Sequence, residues 1–208
     1  MPSPADFAHL KTMVLATRVV PVGNYLRIYK TSYIDATGML HRVGPVESSP
    51  ALSSRFSDPN HHFSVLYFGA SLDVCFLEAV LRDNAVGIPG PYRLARSEIS
   101  IRNIAVIKPG VFLNLLELTG NGVVKHRIPT DAVHAFDHAA GQMLSSAVHQ
   151  NPARVDGMAF PSRHNGSTNI VVFERAFAKI ALNADFALGR AANLARTLDT
   201  FNIEIFTP

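Results

Sequence analysis

One carboxylate stands inside a run that is otherwise almost wholly apolar: Glu78, in "SLDVCFLEAVLRD" (71–83). Placed on a helix, Leu72, Val74, Cys75, Phe76, Leu77, Ala79, Val80 and Leu81 cover nearly the whole circumference, so the helix is expected to be buried on most sides. A buried carboxylate without partners costs several kcal/mol or stays protonated. Glu78 therefore needs an arginine or a reaction to justify it. The plainer alternative is an i, i+4 ion pair with Arg82, worth only about 0.3–0.5 kcal/mol at a surface.

Two arginines upstream break the pattern around them. Arg27 interrupts the apolar strand "YLRIYK" (25–30), and Arg55 follows serines in "SSRFSDP" (53–59). A guanidinium suits bidentate binding of phosphate or carboxylate; the alternative for each is a structural salt bridge. Tyr67, in "VLYFG" (65–69), precedes Glu78 by eleven residues and is either a core aromatic or a stacking surface. Finally, "VDGMAFPSRHNGSTNIVVFE" (155–174) sets two apolar segments around a polar loop, 162–169, that carries Ser162, Arg163 and Asn169. A hairpin commonly needs only two loop residues. The longer loop either grips a ribose hydroxyl or phosphate or hydrogen-bonds its own backbone.

Taken together these residues offer guanidinium groups for a pyrophosphate, a ring for a flat heterocycle, a carboxylate for a developing cation, and the Ser162 hydroxyl. Cleavage of an N-glycosidic bond in a dinucleotide uses such a set, because a fixed negative charge near C1′ lowers the barrier to an oxocarbenium-like state. Other chemistries lack support. No Gly-rich dinucleotide fingerprint and no Walker phosphate loop occur, and there is no cysteine cluster. His134 and His138 have the i, i+4 spacing of a two-histidine metal face, but the glutamate of a metalloprotease motif is missing, so no metal is assigned. His61 and His62 are given no role.

The order of "YLRIYK", "SSRFSDP", "VLYFGASLDVCFLEAV" and "VDGMAFPSRHNGSTNIVVFE" resembles the RES domain, over roughly residues 24–175. The two later blocks are the most specific: an aromatic strand leading through Ala-Ser-Leu into a Glu-bearing helix, and Asp-Gly-x-x-x-Pro-Ser-Arg before an Asn and a Val-Phe strand. The resemblance implies an ADP-ribosyltransferase-like domain and an NAD-degrading toxin acting by phosphorolysis or hydrolysis. Its implied partner is an antitoxin with an Xre-type helix-turn-helix domain. It further implies that Arg27 and Arg55 bind the substrate's phosphates, or inorganic phosphate as co-substrate. Tyr67 would lie beside the nicotinamide ribose, Glu78 would be the essential acid, Ser162 the loop serine, and Asn169 a further substrate contact. NAD is then a substrate and no cofactor is expected. Nucleic acid enters only through the antitoxin, and a homodimer stays open. The segment 86–129 and the tail after Phe177 match none of the motifs.

A chain of 208 residues with 48% hydrophobic content can bury one sizeable core. A single domain, 1–208, is expected. The formal charge of +3 favours anionic partners only mildly. Cys75, alone of its kind and inside an apolar run, reads as a core residue in a reducing compartment. "MVLATRVVPVG" (13–23) is too short and too interrupted for a signal peptide or membrane span, so a cytoplasmic location is expected and the 165–167 sequon carries no meaning.

Several elements follow from periodicity. A helix is predicted over 5–17 with Phe7, Leu10, Val14 and Leu15 inward, then strands over 25–30 and 64–69, with an irregular segment at 31–63. Ser71 caps a helix running to about Arg82. Strand material lies at 92–107, and Asn121-Gly122 marks a hairpin joining two strands within 112–128. A continuous helix is predicted from Thr130 to about His149, with Val133, Phe136, Ala140, Met143, Leu144 and Ala147 on one stripe. Strands at 178–182 and 201–206 and a helix at 187–198 complete an α/β or α+β fold with a mixed, largely antiparallel sheet flanked by helices. Transfer of ADP-ribose to a protein would use the same site, and a non-catalytic nucleotide- or partner-binding module is the alternative of another class.

Overall fold

The computed structural model describes residues 3–31, 54–60, 62–82 and 89–207. Most of the predicted irregular segment, together with His61 and Asp83, lies outside the described residues. In chain order the strands are β1 (Thr17–Pro21), β2 (Leu26–Lys30), β3 (Val65–Gly69), β4 (Tyr92–Ala95), β5 (Arg102–Ile107), β6 (Phe112–Glu117), β7 (Gly157–Pro161), β8 (Thr168–Phe173), β9 (Leu182–Ala187) and β10 (Ile203–Phe206). The helices are α1 (Leu72–Phe76), α2 (Arg96–Ser100), α3 (Gly122–Lys125), α4 (Asp131–His134), α5 (Ala139–His149) and α6 (Leu194–Thr200).

Among the described residues an eight-stranded sheet runs in the order β1-β6-β7-β8-β3-β2-β5-β9. Only β6 and β7 pair in parallel; the other neighbours are antiparallel. This is the expected mixed, largely antiparallel sheet flanked by helices. The central strands β7 and β8 are buried along nearly their whole length, which explains why they read as continuous apolar runs rather than alternating ones.

Three apolar groups hold the layers together. On one face Leu144 and Val148 of α5 join Phe7, Phe56, Met158, Phe160, Val171 and Phe173. Leu66, Phe68, Leu113, Leu115, Ile170 and Val172 fill another group. Leu72 and Phe76 of α1 pack with Ile28, Leu94, Ile104 and Leu188 in a third. Each fully buried side chain of this size contributes roughly 1.5–3 kcal/mol.

Where β2 meets β3 the sheet nearly divides. Their pairing is the single match Leu26↔Gly69, whereas β3 and β8 pair from Val65↔Phe173 through Gly69↔Asn169. Past that rung β2 and β3 exchange no further ladder pairs, which leaves a gap in their pairing at Tyr67.

Several expected elements take other forms. The first helix is a 3-10 turn, Pro4–Lys11; Phe7, Leu10 and Leu15 are buried, but Val14 lies beyond its end and is 93% exposed. The Asn121-Gly122 hairpin does not form, because β6 finds partners in β1 and β7 and Gly122 opens α3 instead. A Cβ on Gly122 would strike the Glu117 carbonyl, so this glycine serves close approach and not a turn. Residues 174–179 form a 3-10 turn, and the strand predicted at 178–182 runs over Leu182–Ala187. The strand at 201–206 is β10, which leaves the main sheet and pairs in parallel with β4. The long helix after Thr130 breaks into α4 and α5, with Phe136 in the connection.

Candidate active site

Glu78 owes its position to an irregular helix. Ser71, in extended conformation, accepts a hydrogen bond from the Val74 backbone and caps α1. After Phe76 the helix widens into a π turn, Leu77–Leu81, closed by the Arg82 amide donating to the Leu77 carbonyl at 2.6 Å. Such single π turns recur at functional sites, since the extra residue re-aims the side chains around it. Leu77, Glu78 and Ala79 are accordingly half-buried while Val80 and Leu81 stay in the core, so Glu78 is less enclosed than a regular helix predicts. Arg82 Nε donates to the Glu78 main-chain carbonyl at 3.1 Å, and the i, i+4 contact is made to backbone rather than carboxylate.

Two neutral donors meet the carboxylate. Ser162 Oγ donates to Glu78 Oε1 at 2.7 Å, and Asn169 Nδ2 donates to the same oxygen at 3.1 Å. Both donors are nearly inaccessible, Ser162 at 3% and Asn169 at 4% exposure, so these bonds form away from competing water. Among the described residues, a hydroxyl and an amide are the side chains that hold the carboxylate.

The polar loop 162–167 hydrogen-bonds its own backbone, the plainer of the two expectations for it. Ser162 N donates to the Ser167 carbonyl at 2.7 Å, Gly166 N donates back to the Ser162 carbonyl at 2.9 Å, and Asn165 Oδ1 accepts from Ser167 N at 3.0 Å. Gly166 has φ +72, which a residue without Cβ takes without strain. By folding on its own backbone the loop fixes Ser162 and aims the hydroxyl at Glu78.

Asn169 comes from β8, directly opposite Gly69 on β3. A Cβ on Gly69 would lie 2.6 Å from Val74 Cγ1, 2.7 Å from Cys75 Sγ and 3.2 Å from Asn169 Oδ1. Glycine is what lets α1, β3 and β8 converge here. Cys75 itself is buried, its thiol donating to the Leu26 carbonyl at 3.1 Å. Burial pushes that thiol up to about 12, against the Gly69 backbone hydrogen bond and the Arg27 charge, so it stays protonated. The expected core role of Cys75 holds.

Tyr67 serves packing and position together. Its hydroxyl accepts from Phe56 N at 2.9 Å and lies 3.0 Å from Ser54 Oγ, while its half-buried ring stacks with Phe56 and meets Phe160 edge-on. Arg55 follows in the same segment. Its guanidinium donates to the Val133 carbonyl at the end of α4, and its stem lies against Gly141 of α5, where a Cβ would come within 2.5 Å of Arg55 Cγ. Gln142 reaches the Ser54 carbonyl at 3.2 Å and Ser145 the Phe56 carbonyl at 2.7 Å, so residues 54–57 are clamped onto the α4–α5 corner. Arg27 lies on β2 opposite Ala105; its Nη1 donates to the Tyr67 carbonyl at 3.2 Å, across the gap where β2 and β3 part.

The structure thus brings Glu78, Ser162 and Asn169 into direct contact. Arg27 and Arg55 flank Tyr67, one through its backbone and one through the segment that holds its hydroxyl. Tyr67 and Asn169 lie two residues apart along the β3–β8 ladder on one face of the sheet. His134 ends α4 and His138 precedes α5, so they do not share a helical face. Among the described residues no group of three or more His, Cys, Asp or Glu side chains converges to hold a metal ion.

Two features of the site escape periodicity: the π turn and the helix break at 135–138. Asp137, whose Oδ1 accepts from Ala139 N at 3.0 Å, is the sequence signal for the second, since an acidic residue two positions before Ala-Ala marks a helix start.

A sequence model of the RES domain matches residues 26–191. "Probable toxin y4kH" of Sinorhizobium fredii is 32% identical over 126 residues, spanning 60% of this chain and 99% of that protein. A chain in the crystal structure of the M. tuberculosis MbcT–MbcA toxin–antitoxin complex matches with a TM-score of 0.59 over 96% of both chains, at 13% identity. The last match speaks for the fold.

Proposed function

We propose, from the premise that the chain belongs to the RES domain family, that it is an enzyme cleaving NAD at the bond between nicotinamide and ribose. The observation that carries this reading is the convergence of the Glu78 carboxylate, the Ser162 hydroxyl and the Asn169 amide beside the gap between β2 and β3.

The chemistry fits that arrangement. Nicotinamide is attached as a pyridinium cation, so it departs neutral with the electron pair of the C–N bond and needs no proton. The barrier lies in the positive charge left on C1′ and the ring oxygen, which a fixed carboxylate stabilises. Both donors hold Glu78 Oε1, and in this reading Oε2 faces the ribose. Water adding to C1′ gives ADP-ribose and a proton; inorganic phosphate gives ADP-ribose 1″-phosphate. Arg27 and Arg55 take the phosphates and Tyr67 faces the nicotinamide ribose.

The name of the Sinorhizobium relative supports a toxin role for this chain, and the partner proposed for it is an antitoxin of the Xre helix-turn-helix type. A toxin that consumes NAD works where that pool is, in the cytoplasm. Among the described residues no helix is long and apolar enough to cross a membrane.

The test is incubation of the purified protein with NAD, with and without phosphate, following free nicotinamide by chromatography. Release by the wild type and a loss of at least about a hundredfold in Glu78→Gln is the expected result; phosphate dependence names the nucleophile. Unchanged turnover in Glu78→Gln sinks the assignment of the carboxylate. Label from radiolabelled NAD appearing in a protein band would move the reading to ADP-ribosyl transfer.

A further inference from the structure

Phe136 belongs to the apolar stripe of the helix predicted after Thr130, yet it is 77% exposed. Local bonding accounts for the break that exposes it. The Ala135 amide closes α4 on the Asp131 carbonyl at 3.0 Å, Ala135 turns extended at ψ 154, and Asp137 caps the Ala139 amide at 3.0 Å. The aromatic ring is thus held outside the core by a built corner.

That corner meets two arginines, Arg163 and Arg55. The Arg163 guanidinium lies 5.3 Å from the Phe136 ring centroid, and Arg163 directly follows Ser162, whose hydroxyl holds Glu78. From the other side, Arg55 donates to the carbonyl of Val133, three residues before the ring. A chain of contacts therefore runs from Glu78 through Ser162 and Arg163 to Phe136, and returns through Arg55 to the Tyr67 segment.

We propose that Phe136 is the stacking surface for the adenine base of NAD, with Arg163 holding one face of the ring by a cation–π contact and the other face meeting the base. This rests on the NAD reading above. The nicotinamide ribose lies at Glu78, and Phe136 meets the guanidinium of Arg163, the residue that follows Ser162. Arg55, assigned to a phosphate, reaches the same corner from the Tyr67 side through the Val133 carbonyl. An aromatic at that remove matches the distal base of the dinucleotide. Stacking on an aromatic tolerates any flat heterocycle, and its loss weakens binding by about fivefold to a hundredfold.

The experiment compares kcat/KM for NAD and for nicotinamide mononucleotide, which lacks the adenosine half, in the wild type, Phe136→Ala and Phe136→Trp. The expected result is an NAD-over-mononucleotide preference that falls about tenfold in Phe136→Ala, carried by KM for NAD, and is retained in Phe136→Trp. An unchanged preference, or an equal loss for both substrates, overturns the adenine assignment. If the wild type releases nicotinamide from neither substrate, the reaction reading has failed, and binding of fluorescent etheno-ADP-ribose decides the stacking surface alone. Affinity about tenfold weaker in Phe136→Ala then supports it; equal affinity, or no binding to the wild type, overturns it.

Discussion

The Ser162 hydroxyl and the Glu78 carboxylate meet at 2.7 Å, although 84 residues separate them in the chain. A hydrogen bond to a charged group of this kind contributes about 1.5–3 kcal/mol when its donor is lost from a buried setting. The carboxylate is therefore oriented from β7's end of the sheet while its own helix only delivers it there.

Ser162→Ala tests that orientation. The expected outcome is a kcat for nicotinamide release lowered by roughly tenfold to a hundredfold, with KM for NAD within about threefold of wild type. Steady-state kinetics read both numbers. A kcat equal to wild type would mean that Asn169 alone is sufficient to hold Glu78.

Gly69→Ala should damage fold and site together. Its new methyl group would press on Val74, Cys75 and Asn169, and overpacking of this sort costs about 1–3 kcal/mol. Urea unfolding should show a lower midpoint, and turnover should fall more than in a surface variant of equal stability, because Asn169 is displaced from Glu78. Wild-type stability in this variant would show that α1 and β3 can part without penalty.

Cys75 should resist alkylation. Its thiol is raised from 9.0 to about 12 by burial, so at pH 8 the native protein holds little thiolate, and iodoacetamide should label it at least about tenfold more slowly than in urea. The sign for stability follows from the same shift. Between about pH 9 and pH 12 the unfolded chain ionises first, so this group lowers stability as pH rises through that window and is neutral below it. Equal labelling rates in native and unfolded protein would place the thiol at the surface.

Much of the site was legible in the sequence because its residues contradict their surroundings. Glu78 in an apolar run, Arg27 in an apolar strand and Ser162 in an overlong loop are each conflicts between local pattern and side-chain chemistry, and such conflicts concentrate at functional sites. What periodicity missed lies where tertiary contacts override local pattern. The Asn121-Gly122 pair has the composition of a hairpin turn, but the demand on Gly122 is the Glu117 carbonyl against it. The stripe from Val133 to Ala147 has helical spacing throughout, yet Asp137 starts a second helix inside it. The π turn leaves no mark on spacing over so short a segment, and the neutral partners of Glu78 depend on a register that one strand alone does not reveal.

The long separations within the site also bear on how an active molecule comes into being. Glu78 is translated 84 residues before Ser162 and 91 before Asn169, the donors that hold it. Contacts so distant in sequence close late, after the loop-closure entropy of the intervening chain has been overcome. A nascent chain that has not yet extruded β7 and β8 carries the carboxylate but none of the groups that aim it. On the proposed reading the site is therefore complete only once the β7–β8 hairpin has formed, and a fragment ending before Ser162 lacks both donors that hold Glu78.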